Sequence, residues 1–563
     1  MVRSTHLARL RGGAFDVLVI GGGITGAGVV LEAAARGLSA ALIERGDFAQ
    51  GTSSWSTKLI HGGLRYLPML DLAQVREGLE EQNFLLRNAP QLVRPLPFVL
   101  PLYRGATRPL GLRLPGPLRA ALPLGLSLGL WTYDFLAGRR GGRRHRRLDT
   151  AAATALVPAL RVDGLRRAFL YYDGLTDDAR LTLTVLRTAA KRGAVVANYV
   201  EAVGVTAEAG RITGASLVDR RTGERFAVRA GMTINAAGLW AEDVARLAGP
   251  PPFRIRRAKG VHIVLSPARL RMRRAALVLP ETDDGRVAFI IPWQGVLVVG
   301  TTDTEWNGPA DDPDVTAGDV AYLLAHASRF LTLPLSTGDV VGAYAGLRPL
   351  ISAGTVPSAR LSRRHAVVRS AEGFYSIIGG KLTTYRRMAE DVINAATGRV
   401  GGMPSRTRTL PLDGSEGLDT ALPALRARAR GLGLPRSAFL HLLRTYGTEM
   451  SAVLDVVAER PRLGEPLNRG YPHIGAEVVV AVRDEMALGL ADVLLRRTRL
   501  AHLLPRQGTE IAARVAALMG DELAWSVGTR AGQVDEYARS ASRFAVSRLE
   551  APAPAARGEG GEP

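Results

Sequence analysis

The first strong pattern in the chain is Phe15 to Ile20 (FDVLVI), a short, continuous, β-branched apolar run of the kind that forms a strand buried on both faces. It enters Gly21-Gly22-Gly23-Ile24-Thr25-Gly26-Ala27-Gly28, after which Val29 to Arg36 carries helical spacing and Ser39 to Ile43 forms a second strand ending in Glu44. This pattern predicts a βαβ unit. Further strand-like runs lie at Val195 to Val203, Arg211 to Val218, Met232 to Ala236, Gly260 to Leu265, Val287 to Ile291, Val296 to Gly300 and Phe374 to Ile378. From about Glu416 to Ser547 the pattern turns helical and predicts a separate α-domain. The tail from Ala551 is rich in Pro and Gly and is expected to be disordered.

Composition narrows the function classes. With 563 residues the chain is long enough for two or more domains, and 47% hydrophobic with 22% charged residues excludes a wholly disordered or collagen-like chain. The absence of cysteine excludes disulfide scaffolds, thiolate metal sites, Fe–S clusters and cysteine nucleophiles. The net charge is +21, yet only Lys58, Lys191, Lys259 and Lys381 among the 73 basic residues are lysine. Arg and Lys are not interchangeable where a compact ammonium is needed, so each remaining Lys points to a possible site.

The N-terminus lacks an apolar stretch of signal-peptide type. The long uncharged runs Val17 to Leu31, Ala120 to Tyr133 and Val287 to Thr302 would span roughly 21 to 24 Å as helices, against roughly 30 Å of bilayer core, so none is expected to cross. Arg104 to Arg147 joins Leu, Pro, Trp131, Tyr133 and Phe135 to a basic run with Arg139, Arg140, Arg143, Arg144, Arg146 and Arg147. Such a segment suits an anionic membrane surface; a solvated basic loop is the nearest competing reading, and nucleic acid ranks last because no recognition module surrounds the run.

Gly21, Gly23 and Gly26 form G-x-G-x-x-G between strand and helix, with Glu44 placed to accept hydrogen bonds from an adenosine ribose. The motif alone does not separate NAD from FAD. Hydroxyls at Thr52, Ser53, Ser54, Ser56 and Thr57 crowd the stretch after the second strand, where a longer, flavin-bearing dinucleotide would continue. The strand Met232 to Ala236 runs into small residues at Ala236, Ala237 and Gly238, and Phe374 to Ile378 runs into Gly379-Gly380-Lys381-Leu382-Thr383-Thr384-Tyr385 and a helix.

In order, GGGITGAG, GTSSWSTKLIHGGLRYL, KGVHIVL, IIPWQGVLVVGTTDTEW, GAYAGLRPL and IIGGKLTTYRRMAEDV closely resemble the FAD-dependent, quinone-linked glycerol-3-phosphate dehydrogenases. The resemblance covers about Phe15 to Ala395 and continues more weakly into the helical region through RTYGTEM and RRTRL. It implies an α/β fold with a Rossmann-like FAD-binding domain, an interleaved antiparallel-sheet substrate domain and a C-terminal all-α domain. The expected division is a basic tail at 1–13, a discontinuous FAD domain at 14–95, 176–250 and 340–400, a substrate and membrane-facing domain at 96–175 and 251–339, a helical domain at 401–547 and a disordered tail at 548–563.

The implied reaction is oxidation of sn-glycerol 3-phosphate to dihydroxyacetone phosphate, with hydride passing from C2 to flavin N5 and electrons to membrane quinone. An oxidase using oxygen, or an FAD enzyme acting on another 2-hydroxy acid or an amine, stays open. The implied location is cytoplasmic, on the inner face of the cell membrane, with a homodimer as the oligomer considered and no nucleic-acid partner. FAD contacts are expected from Gly21, Gly23, Ile24, Thr25, Gly26, Glu44, Arg45, Thr52, Ser53, Ser54, Lys58, Leu59, His61, Gly62, Val203, Ala236, Gly238, Gly380, Lys381, Leu382 and Thr383. No metal site is expected.

For the substrate, Arg65 and Arg348 are the expected clamps for phosphate or alcohol, Tyr66 a hydroxyl donor and Lys259 a further contact. His262 and His61 are the candidate proton acceptors because imidazole titrates near neutral pH. Lys381 would stabilise negative charge on flavin or substrate, and Thr302 and Asp303 would shape the site. On this reading Lys58, Lys259 and Lys381 mark the site, and Lys191 lies on the surface.

Overall fold

The structure, a computed structural model, describes residues 1–64, 71–104, 116–137, 144–351, 364–398 and 405–549. Arg65, Tyr66, Arg139, Arg140, Arg143 and the tail from residue 550 lie outside the described residues. The fold is mixed α/β with two sheets and a C-terminal helical region.

Among the described residues the first sheet has eight strands. Its parallel centre runs Phe374–Ile378, Arg225–Asn235, Ala14–Ile20, Ala40–Glu44, Val195–Asn198. The two strands around the glycine turn lie at its middle because Val17 to Ile20 and Ala40 to Ile43 are buried on both faces, as continuous apolar runs require. Helix α2 (Ile24–Ala35) crosses between them and packs on Val185, Leu186 and Ile393. The run predicted as one strand from Val195 breaks at Tyr199, whose φ of 55° turns the chain into a second strand, Val200–Glu208.

Residues 1–13 are not a tail. Helix α1 (Arg3–Leu10) buries Leu7 and Leu10 against Leu18, Val195 and Ala197, and Arg3 pairs with Asp219 at 2.9 Å. Burying two leucines stabilises by roughly 1.5 to 3 kcal/mol each, more than a solvated basic segment would gain.

Among the described residues the second sheet has ten strands and is mainly antiparallel. Its longest pairing joins Ile255–Leu265 to Val340–Ile351, with Ala258 opposite Arg348, Gly260 opposite Gly346 and His262 opposite Tyr344. Residues 340–351 were expected in the FAD domain; their backbone ladder puts them in this sheet instead. Helix α3 (Leu72–Asn88) and helix α4 (Gly116–Ala137) pack on each other through Val75, Leu79 and Tyr133.

The helical region begins at Leu418; it forms one core of its own around Leu442, Val453 and Val479, and shares a second with Val264, Trp293, Val298 and Tyr344 of the second sheet. Buried ion pairs tie it to the first sheet: Arg497 to Asp47 at 2.7 Å and Arg180 to Glu485 at 3.1 Å. Lys191, expected on the surface, is half-exposed and also reaches across, to Asp413 and Glu449.

Candidate functional site

The glycine turn opens one wall of a cavity of about 370 Å³. Gly21 sits at φ 118°, where a Cβ would meet the Ala236 carbonyl oxygen at 2.7 Å, and a Cβ on Gly26 would run into the Gly21 carbonyl. The first glycine therefore permits the close approach of two strands, and the third lets α2 start against the turn. Gly23 caps α2 without a side chain, Ser53 Oγ accepts from Ile24 N–H at 2.9 Å, and Thr25 lines the opening. A helix N-terminus left open in this way attracts phosphate.

Glu44 lines the same cavity and accepts from Gly22 N–H at 2.7 Å and Gly46 N–H at 2.9 Å. Burial pushes its carboxyl above the usual range, and these two backbone bonds oppose that. Arg45 lies 4.3 Å over the Trp240 ring at that end. The wall continues through Thr52, Ala236 and Gly238, and closes at Gly379, Gly380, Lys381 and Leu382. Thr52 Oγ1 donates to Leu347 O at 2.7 Å, tying the hydroxyl stretch to the second sheet. An acid at one end, an open helix N-terminus in the middle and a glycine turn with a lysine at the other suit a dinucleotide with a central pyrophosphate. Gly238, whose Cβ position meets nothing within 4 Å, leaves the wall free of side-chain bulk.

A second cavity of about 190 Å³ adjoins the first along Thr52, Ser56, Pro349 and the 379–382 turn. Leu59, His61, His262, Arg348, Lys381 and Thr383 all line it. His262 is buried with its ring stacked on Tyr344, centroids 4.8 Å apart. Its Nε2 lies 3.0 Å from Thr57 Oγ1, and its Nδ1 is buried without a hydrogen-bond partner among the described residues. Burial, with the Lys58 and Arg348 charges, drives the imidazole well below its ordinary value near 6.5, so it is neutral at pH 7. Arg348 donates to Asp303 Oδ1 at 3.2 Å and Thr301 Oγ1 at 3.3 Å. Two glycines make room for these side chains: a Cβ on Gly260 would lie 2.5 Å from Arg348 Nη2, and one on Gly300 would collide with the His262 ring. His61 lines the same cavity, and its backbone N–H donates to Thr383 Oγ1 at 3.2 Å.

Several expected contacts lie elsewhere. Lys58 is fully buried and donates to Ser54 O and both oxygens of Asp178, at 2.9 and 2.8 Å. Burial and neighbouring Arg499 bring its ammonium down to about 8, against the pull of Asp178. It lines neither cavity. Ser54 is buried and donates to Ala49 O, and Gly26 is taken up by packing. Lys259 points to Asp314 at 3.2 Å and Asp319 at 3.0 Å, beside the Trp306 ring, and so is held away from the substrate-sized cavity. Gly62 N–H faces Tyr133 and Asp173, both at 3.1 Å. Val203 is 40% exposed; the cavity wall is built one step earlier, by Val200, Glu201 and Ala202. Trp55, Thr57 and Leu347 line the second cavity without having been singled out for it; the sequence showed them only as members of a hydroxyl stretch and a strand.

Residues 16–386 match the family model described as FAD dependent oxidoreductase, and residues 405–530 match the C-terminal domain of alpha-glycerophosphate oxidase. The chain is 40% identical over 508 residues to Glycerol-3-phosphate dehydrogenase 1 of Mycobacterium tuberculosis, covering 87% of this chain and 92% of that one. It is 38% identical over 496 residues to Glycerol-3-phosphate dehydrogenase 2 of the same organism, covering 87% and 82%. Among solved structures, the glycerol-3-phosphate dehydrogenase from Bacillus halodurans complexed with FAD aligns with a TM-score of 0.76 and 28% identity, covering 96% and 97% of the two chains.

Proposed function

Because the chain belongs to the glycerol-3-phosphate dehydrogenase family of FAD-dependent oxidoreductases, we propose that it oxidises sn-glycerol 3-phosphate to dihydroxyacetone phosphate and delivers the electrons to membrane quinone. The observation that carries the reading is the small cavity in which His262, Arg348 and Lys381 meet at the end of the dinucleotide cleft. FAD supplies the acceptor for the hydride that leaves C2.

The residues of this chain supply the rest. His262, neutral at pH 7, takes the proton released by the C2 hydroxyl, and the Thr57 hydroxyl at 3.0 Å fixes its ring. Arg348, aimed by Asp303, offers a guanidinium fork to the phosphate or to the oxygen that gains negative charge. Lys381 adds a second positive charge at the junction of the cavities. Arg65 and Tyr66 complete the proposed phosphate contacts, and FAD lies along Gly21, Gly23, Glu44, Thr52 and the 379–382 turn. Burial of His262 keeps bulk water from its ring.

The quinone reading is supported by α4. Leu124, Leu128, Trp131 and Phe135 are exposed along one stripe, Leu124 by 70% and Phe135 by 83%. His145 Nδ1 lies 2.7 Å from Asp134, and its ring is edge-on to Trp131, which holds exposed Arg144 and Arg146 beside the stripe. Apolar and cationic groups side by side fit the surface of an anionic bilayer on its cytoplasmic face. Among the described residues no helix is long and apolar enough to cross. Turnover with a quinone analogue in anionic vesicles, giving dihydroxyacetone phosphate without peroxide, is the expected result. Peroxide formation in place of quinone reduction would make the protein an oxidase.

A further inference from the structure

Lys381 is held from outside the two cavities. Its Nζ donates to Gln74 Oε1 on the first turn of α3. The Gln74 amide is itself oriented: Nε2 donates to Asp71 Oδ2 at 3.2 Å, while Asp71 Oδ1 accepts the Gln74 backbone N–H at 3.1 Å as the helix cap. Arg364 donates to Asp71 Oδ1 at 2.9 Å. An amide has one accepting and one donating end. With the donating end drawn to a carboxylate, the oxygen must face the lysine; the flipped amide would set NH₂ against NH₃⁺ and the carbonyl oxygen against the carboxylate.

From this geometry we infer that Gln74, oriented by Asp71, is a positioning residue that fixes the Lys381 ammonium at the junction between the dinucleotide and substrate cavities. The inference rests on the reading of that junction as the place where substrate and FAD react. Lys381 follows two glycines at φ 74° and 85°, so its backbone approach is set by the turn. A lysine stem has four rotatable bonds, and the turn alone does not decide where its charge sits. A cation kept beside a cofactor that gains electrons stabilises the reduced form, and a preoriented charge acts without reorganisation. The acceptor on α3 therefore raises the reduction potential and the reduction rate together.

The test uses the FAD-loaded full chain and compares Gln74→Leu, Gln74→Glu, Asp71→Asn, Lys381→Met and the double variant Gln74→Leu/Lys381→Met. FAD content and melting temperature establish that each is folded and loaded. The midpoint potential of the bound flavin is then measured by photoreduction against a reference dye, which needs no substrate. The Gln74→Leu potential should become more negative, and reduction at saturating glycerol 3-phosphate should slow by about 10- to 100-fold with KM nearly unchanged. Gln74→Glu, which keeps an acceptor for Nζ but sets a negative charge against the ammonium, should likewise make the potential more negative. Asp71→Asn, which keeps the helix cap but not the fixed amide orientation, should fall between, and it carries the test if Gln74→Leu does not fold. In the Lys381→Met background, Gln74→Leu should add nothing. An unchanged potential in Gln74→Leu and Asp71→Asn, or effects of Gln74→Leu and Lys381→Met that add in full, would overturn the inference. Failure of glycerol 3-phosphate to reduce the wild-type flavin would instead overturn the functional reading, leaving the potentials to decide the role of Gln74.

Discussion

His262 Nε2 lies 3.0 Å from Thr57 Oγ1, joining a strand of the second sheet to the hydroxyl-rich stretch that follows the glycine-turn unit. The base of the proposed reaction is thus set by two segments 205 residues apart.

The pH dependence comes first. His262 is depressed below its ordinary value by burial and by the Lys58 and Arg348 charges. It is the working base when neutral, so activity is lost as pH falls through its depressed value. The acidic limb of kcat/KM should therefore lie below pH 6.5, and His262→Ala should lower flavin reduction by about 10²- to 10⁴-fold while FAD stays bound. An acidic limb above pH 7 would assign the base elsewhere.

Gly300→Ala tests the space around that ring. The added Cβ collides with the His262 imidazole, whose other face is already against Tyr344. Flavin reduction should drop by at least about tenfold with FAD content unchanged. Wild-type rates in a fully loaded variant would show that the ring position is immaterial.

Asp173 gives a stability prediction. Its Oδ1 accepts from Tyr133 at 2.7 Å, Gln82 at 3.0 Å and Gly62 at 3.1 Å, and burial raises its carboxyl to about 6. The folded value lies above the unfolded one, so its contribution is full below the unfolded value and is lost as pH rises through about 6. Asp173→Asn keeps the accepting oxygen and cannot ionise. Between pH 5 and pH 8, its stability relative to wild type should rise by roughly 1 to 2 kcal/mol, read from denaturant melts. A difference independent of pH would contradict the assignment.

The α4 stripe predicts salt-sensitive flotation with anionic vesicles. Replacing Leu128, Trp131 and Phe135 together by Ser should abolish flotation without changing substrate-driven flavin reduction, because all three side chains are exposed and line neither cavity. Undiminished flotation would move the contact to another surface.

How much of this was legible in the sequence depended on distance along the chain. The βαβ unit, its glycines and Glu44 could be read because strand, turn and acid lie within one local unit, and the continuous apolar runs could only be buried centrally. The lysines misled. Lys58 and Lys259 lie in specific motifs, but a motif does not state where Nζ points, and their partners Asp178 and Asp319 are 120 and 60 residues away. Arg348 was legible through its motif and does line the second cavity, but its pairing opposite Ala258 comes from the antiparallel register of two long strands, which no local pattern encodes. Gln74 was invisible because one amide in an amphipathic helix looks like any solvated position. The N-terminal segment was misread for a related reason: its arginines stand out in composition, while Leu7 and Leu10 disclose their partners only in the fold.

The central claim is tested most directly by anaerobic titration of the purified, FAD-loaded protein with sn-glycerol 3-phosphate, followed by its visible absorbance. The account predicts that the yellow flavin bleaches stoichiometrically with glycerol 3-phosphate, that glycerol leaves it oxidised, and that Arg348→Ala needs far more substrate for the same effect. A flavin that stays oxidised with glycerol 3-phosphate yet is reduced by dithionite, or one that glycerol bleaches equally well, would contradict it.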